Sequence, residues 1–133
     1  MKTCLFDLTA LALVSWREAR GEGVAGVQAV LNVIKNRAIK QNKTPYEIII
    51  APWQFSSMTA TGDPELGLWP KLTDVQWLEC VDLSQKLLNG TLEDNTDGAT
   101  FYYATTIKPP KWSYSMEKTI QIGKQIFMKE KNV

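Results

Sequence analysis

The segment LTALALVSWREARGEG, residues 8–23, restricts the fold more than any other stretch. Residues 5–20 read as a helix whose apolar positions wrap most of the way round. With no Gly or Pro between Thr9 and Ala19, this helix is expected to be central and largely buried. Its end carries a carboxylate, Glu18, and Gly21 then breaks the helix before a second one begins at Val24. Burial disfavours the charged form of a carboxyl group, and so does the negative pole of a helix. Such a placement is costly unless the group is used, and a carboxyl held toward its protonated form is what a general acid needs near neutral pH. Glu18 is therefore the first candidate for chemistry.

The remaining pattern is mainly helical with a small β element. Val24, Val27, Leu31, Ile34 and Ala38 recur at three- and four-residue steps, with Val30 and Val33 widening the seam. They predict a helix to about Gln41, with Lys35, Lys40 and Lys43 on solvated faces. Thr44-Pro45-Tyr46-Glu47 is a capping box opening a short helix that Pro52 ends. Residues 52–72 have no clear period. They hold Trp53, Phe55 and Trp69, and a loop this long and aromatic is often functional. Thr73-Asp74-Val75-Gln76 reads as a second capping box, for a helix with Val75, Leu78, Val81, Leu83, Leu87 and Leu88 on its apolar side, ending at Asn89 before Gly90. TLEDNTDG, residues 91–98, is a turn segment, and GATFYYA reads as a short strand. A last helix is expected from a Ser115 cap to about Lys129, carrying Ile120, Ile122, Ile126 and Phe127.

Composition removes whole classes of chemistry. The chain has 133 residues, the size of one domain, spanning 1–133. It contains no histidine, which excludes a Ser-His-Asp triad and a Cys-His dyad. With two cysteines and no histidine, a catalytic zinc site is also disfavoured, so neither metal nor cofactor is expected. Carboxylates are left, and behind them a Ser-Lys dyad. The net charge of +1, mixed along the chain, argues against nucleic acid as a partner. Cys4 and Cys80 read as two buried free thiols. Asp7 interrupts the apolar N-terminal run, no small-x-small site precedes Trp16, and no run is long enough to span a membrane. The expectation is a monomer made in the cytoplasm.

Three stretches could converge on one cleft: Glu18, the loop residues Gln54, Phe55 and Ser56, and the GATFYY strand. Sugars are bound by aromatic faces and hydrogen-bonding groups, which Tyr102, Tyr103, Trp112 and Trp53 could supply. WREARGEG, VLNVIKNR, QFSS, DNTDGATFYY, Trp112 and IGKQIF together resemble the cell-wall hydrolase family that includes the spore cortex-lytic enzymes and occurs among phage endolysins. The resemblance covers about residues 8–128. It implies a lysozyme-like, goose-type fold and cleavage of the β-1,4 bond between N-acetylmuramic acid and N-acetylglucosamine in peptidoglycan. The family's catalytic glutamate falls on Glu18, its FS element on Phe55 and Ser56, and its GAxxYY strand on Gly98, Ala99, Tyr102 and Tyr103. Thr100 and Trp112 complete the expected substrate contacts. Many relatives have a histidine where Phe101 stands, and Asn-His where Lys124 and Gln125 stand.

In the expected mechanism protonated Glu18 donates to the glycosidic oxygen and then acts as base. If the muramic 6-hydroxyl is the acceptor, one carboxylate suffices and the product is a 1,6-anhydro sugar, as in a lytic transglycosylase. If water is the acceptor, as in a hydrolytic muramidase, a second carboxylate helps, with Glu22, Asp63, Asp94 and Asp97 as candidates. Of these, Glu22 is expected to face solvent, and Asp94 and Asp97 to build a turn. The structural alternative for Glu18 is an ion pair with Arg17, Arg20 or Arg37. The functional alternatives are a peptidoglycan amidase, a non-catalytic glycan-binding module and a small nucleic-acid binder. The setting expected is a phage endolysin that reaches the periplasmic cell wall through a membrane lesion made by another protein.

Overall fold

The computed structural model describes residues 4–131 and is built around the expected first helix, α1 (Leu5–Ala19). Every residue from Ala10 to Arg17 is buried, because α1 is packed by other helices on several sides. A turn of 3-10 helix, Arg20–Glu22, leads into α2 (Gly23–Gln41), which ends on Asn42 in the left-handed conformation. Val27, Leu31, Ile34 and Ala38 are buried as the spacing requires, whereas Val24, in the first turn, is exposed.

α3 (Pro45–Ile50) opens with the expected capping box. The Glu47 N–H donates to the Thr44 hydroxyl, and the Thr44 N–H to the Glu47 carboxylate. Asp7, the residue that interrupts the apolar run of α1, is buried and accepts the Tyr46 N–H at 2.9 Å, satisfying a second orphan donor of that helix. A single helical turn, α4 (Ser56–Thr59), lies inside the long loop.

α5 (Val75–Leu88) is capped by Asp74 and not by Thr73. One Asp74 oxygen accepts the Gln76 and Trp77 N–H groups, and the other accepts the Trp16 indole N–H at 3.1 Å. A hydroxyl could not serve both helices in this way, which is why the carboxylate holds the capping position. Leu83, Leu87 and Leu88 are buried, while Val75 and Leu78 stand exposed at the start of the helix.

The C-terminal third departs from expectation. GATFYYA does give a strand, β1 (Phe101–Ala104), but the helix expected from Ser115 to Lys129 is a β-hairpin instead. A 3-10 segment, Lys111–Ser115, precedes β2 (Met116–Ile122), and Gly123-Lys124 turns the chain into β3 (Gln125–Glu130). Both pairings are antiparallel and the order is β1-β3-β2. Ile120, Ile122 and Ile126 lie at steps two and four, which fit either period. The two-residue Gly turn between them is the hairpin signal, and a bulge between Lys118 and Ile120 breaks the alternation that would have announced β2.

The sheet joins the helices through Phe127. Opposite Tyr102 in the register, it is wholly buried in a cluster with Ala29, Val33 and Ala99. Burying a side chain of that size contributes roughly 1.5–3 kcal/mol. Tyr102 packs both on this cluster and on the larger core formed by α1, α2, α3 and α5, so it sits at the junction of the two.

Candidate active site

Glu18 lies at the C-terminal end of α1, half-buried, on the side turned toward the sheet. Its Oε1 accepts the Tyr102 hydroxyl at 2.9 Å. Among the described residues its Oε2 has no hydrogen-bond partner. Burial, followed by the charge and hydrogen bond of Glu18, raises the Tyr102 pKa well above that of an ordinary phenol. Tyr102 therefore stays protonated at any working pH and acts as a permanent donor to Glu18.

None of the three arginines pairs with Glu18. Arg17 donates to the Leu68 and Ser57 carbonyls at 2.9–3.1 Å, and its guanidinium lies 4.9 Å from the Trp69 ring centre. Arg20 lies over Trp16 and forms a two-pronged ion pair with Glu65. Arg37 is buried, donates to the Thr100 carbonyl and to Gln54 Oε1, and lies 4.6 Å from the Phe101 ring centre and 5.6 Å from that of Phe55. Burial lowers the pKa of Arg37, with the Tyr102 hydroxyl opposing. The group remains a cation regardless, as arginine does in proteins.

The residues expected at substrate divide accordingly. Tyr102 touches Glu18 directly. Gln54 and Thr100 are brought together by Arg37, but Thr100 is buried and offers the guanidinium its backbone carbonyl. Phe55 is buried and Ala99 wholly so, which makes them parts of the frame and not surfaces for a ligand. The exposed Ser56 hydroxyl donates to Asp63 at 2.6 Å. Tyr103 meets Trp112 edge-on at 5.9 Å, and Phe101 lies 5.1 Å from the same indole. Phe101 and Tyr103 are two residues apart, on one face of β1, while Tyr102 points to the other.

The four further carboxylates are each committed. Glu22 is half-buried, contrary to the expectation of a solvated side chain. Its Oε2 accepts the Lys124 N–H at 3.4 Å and lies where a side chain at Gly123 would begin, 2.6 Å from an ideal Cβ. Asp63 accepts from Ser56 and from the Glu65 N–H. Asp94 builds the turn as expected, accepting from the Thr96 N–H and hydroxyl, the Gly98 N–H and Asn36. Asp97, in the left-handed conformation, pairs with Lys129. Lys124 and Gln125 flank the hairpin turn and do not lie on a helix.

Sequence reasoning missed the groups that hold β1 in place. Gln28, Asn32 and Asn36 form a stripe at four-residue steps on α2. Gln28 and Asn32 donate to the Glu93 carbonyl, and Asn36 to the Ala99 carbonyl. Amides at i, i+4 and i+8 were the available signal. Arg37 carried none, because its main partner is a backbone carbonyl 63 residues away.

Cys80 is buried, but Cys4 is exposed, and the two are unpaired. Among the described residues no group of three or more metal-ligating side chains is placed to hold an ion, and no helix is long and apolar enough to cross a membrane. Glu18 lines neither the concavity of about 420 Å³ beside Asn36 and Lys129 nor that of about 570 Å³ between Asp7, Ala38 and Leu88.

Comparison with known proteins identifies the family. A family model described as Cell Wall Hydrolase matches residues 21–128, starting three positions after Glu18. A spore cortex-lytic enzyme of Halalkalibacterium halodurans is 29% identical over 121 residues, which is 91% of this chain but 34% of that protein, so the chain spans about a third of the curated relative's length. Two solved structures superpose with a TM-score of 0.75 at 26% identity, over 96% of this chain. They are the catalytic domain of the germination-specific lytic transglycosylase SleB from Bacillus anthracis, 97% covered, and that of the Bacillus cereus SleB protein, 93% covered. The chain belongs to the cell wall hydrolase family and is an enzyme built on the lysozyme-like fold of the SleB catalytic domain.

Proposed function

We propose that this domain is a peptidoglycan lytic transglycosylase that cleaves the β-1,4 bond between N-acetylmuramic acid and N-acetylglucosamine, with Glu18 as both acid and base. The observation that carries the reading is the placement of Glu18: one oxygen held by Tyr102, the other unengaged by the described residues, with Glu22, Asp63 and Asp94 accepting hydrogen bonds elsewhere and Asp97 exposed beside Lys129. With Oε1 accepting from the phenol, the acidic proton belongs on Oε2. That proton passes to the glycosidic oxygen as the C1–O bond breaks. The positive charge at C1 is stabilised by the substrate's own N-acetyl group. The Glu18 carboxylate then takes the proton of the muramic 6-hydroxyl while O6 bonds to C1. The ring closes as a 1,6-anhydro sugar, and Glu18 is protonated again with no water consumed.

Tyr102 orients the carboxyl through this cycle, while Trp112 and Tyr103 pack together on the opposite face of β1. The solved relative named a lytic transglycosylase supports the same product. The relatives are named for germination and for the spore cortex. For this chain we favour the vegetative wall of a phage-infected cell, so permeabilised cells should clear faster than decoated spores.

The test is product analysis with a Glu18→Gln variant beside the parent. The parent should release muropeptides ending in anhydro-muramic acid. The variant should fold with an unchanged melting temperature and lose at least about 10³-fold in rate, roughly 4 kcal/mol of barrier. Reducing muramic ends from the parent would make it a hydrolytic muramidase. Undiminished clearing by the variant would remove Glu18 from the reaction.

A further inference from the structure

Trp53 is the most conspicuous aromatic residue that the proposed mechanism does not use. Its side chain is 96% exposed, and its backbone sits at φ +68°, a region that bulky residues avoid. A left-handed Trp costs free energy relative to Gly, and full exposure of an indole returns none of it through burial. Strain of this kind persists where the surroundings impose it, and here they do. The next residue, Gln54, is held through its side chain by Arg37, and the one after it, Phe55, is buried beneath the same guanidinium. The strained backbone therefore projects the indole outward from a frame that is fixed on its C-terminal side.

The indole borders a concavity of about 350 Å³ shared with Ile50, Pro52, Ser56 and Thr59, within the range of sites that take small organic groups. The apolar floor matches the C–H face of an N-acetylhexosamine, and the Ser56 and Thr59 hydroxyls, whose protons go to Asp63 and to the Phe55 carbonyl, present acceptor oxygens to its hydroxyl edge. Behind Ser56 the chain turns inward to the buried Phe55, which lies against the buried Arg37. Arg37 in turn holds Thr100, two residues from the tyrosine that orients Glu18.

We propose that Trp53 and the adjoining concavity form an outlying sugar subsite that grips the glycan strand away from the scissile bond and makes cleavage depend on strand length. The proposal rests on the peptidoglycan reading above. It predicts that affinity comes from the flat face of residue 53, so Phe should substitute largely and Gly should not.

The experiment uses glycan strands freed of stem peptides and fractionated by length, with the parent, Trp53→Gly and Trp53→Phe. Trp53→Gly should melt a few degrees higher than the parent, since glycine accepts the left-handed backbone, which also shows that it is folded. Its kcat/KM on long strands should fall about five- to tenfold, an amount in keeping with one aromatic contact, so that the gain from short to long strands disappears. Binding of long strands in a Glu18→Gln background should weaken by the same factor. Trp53→Phe should keep most of the length dependence. Full length dependence in Trp53→Gly would overturn the subsite. Cleavage that survives Glu18→Gln would instead overturn the catalytic reading.

Discussion

Two walls flank Glu18, and they are held by different means. The wall formed by β1 and the hairpin is held by backbone: β1 is paired along its length with β3, and the amide stripe of α2 binds the turn that leads into it. The wall formed by residues 55–69 has backbone hydrogen bonds that are all local, each spanning three or four residues. What ties that loop to α1 is side chains, Arg17 on the Leu68 and Ser57 carbonyls and Arg20 on Glu65. A ladder closes by many small, mutually supporting contacts, whereas residues 59–69, beyond the buried Phe55 and Ser57, are held to α1 by two guanidinium groups and can open locally without unfolding the core. One wall fixes the tyrosine that meets the carboxyl, and the other is the more readily displaced.

The sharpest way to break this contrast is at Arg37, which secures the fixed wall. Arg37→Met leaves the buried Thr100 carbonyl without its donor and releases the exposed Gln54. It should lower the unfolding free energy by about 2–3 kcal/mol in a denaturant titration. Arg37→Lys should recover little, because an ammonium cannot reproduce the fork between two acceptors.

Acid provides a second test. Burial raises the Asp94 pKa, but hydrogen bonds from Thr96, Asn36 and Gly98 outweigh it and leave the folded-state value below normal. The hydrogen bond from Ser56, and then that from the Glu65 N–H, lower Asp63 in the other wall. For a depressed carboxyl, the stabilising contribution is complete above the unfolded value, about 4, and is lost as pH falls through the folded one. The melting temperature should therefore drop below about pH 4. Asp94→Asn should flatten that drop more than Asp63→Asn, since Asp94 is partly buried and serves four donors where Asp63 serves two.

The smallest global effect is expected at Arg17. Arg17→Met should change overall stability by about 1 kcal/mol, because the freed carbonyls can turn to water when the loop lifts. Limited proteolysis should nevertheless speed up severalfold between residues 59 and 70. Equal losses of global stability from Arg37→Met and Arg17→Met would abolish the distinction between the walls.

The helical part of this architecture was legible because burial imposes a period. Leu31, Ile34 and Ala38 had to recur at helical steps, and Thr44 with Glu47 wrote its cap into four residues. Glu18 was legible for the opposite reason, as a charge out of keeping with its apolar helix. The hairpin was not, since its isoleucines fit two periods and the bulge after Lys118 hid the alternation. Asp74 displaced Thr73 as a cap because Trp16, 58 residues earlier, also needed an acceptor. Such demands arise only when distant segments meet.

The contact between Glu22 and the hairpin tip ties together two positions a hundred residues apart. Gly123, at φ +56°, has no room for a methyl group while the Glu22 carboxylate occupies that space. Gly26 is confined in the same way by the Glu22 Cβ, 2.4 Å from where its own would be. Drift at 26 or at 123 is therefore coupled to the residue at 22. A larger residue at 123 has to meet the left-handed backbone as well as displace the Glu22 carboxylate, which can swing aside at the cost of its hydrogen bond from the Lys124 N–H. Laboratory recombination that exchanges the N- and C-terminal halves with a relative would inherit mismatched pairs at this joint before any mismatch in the core.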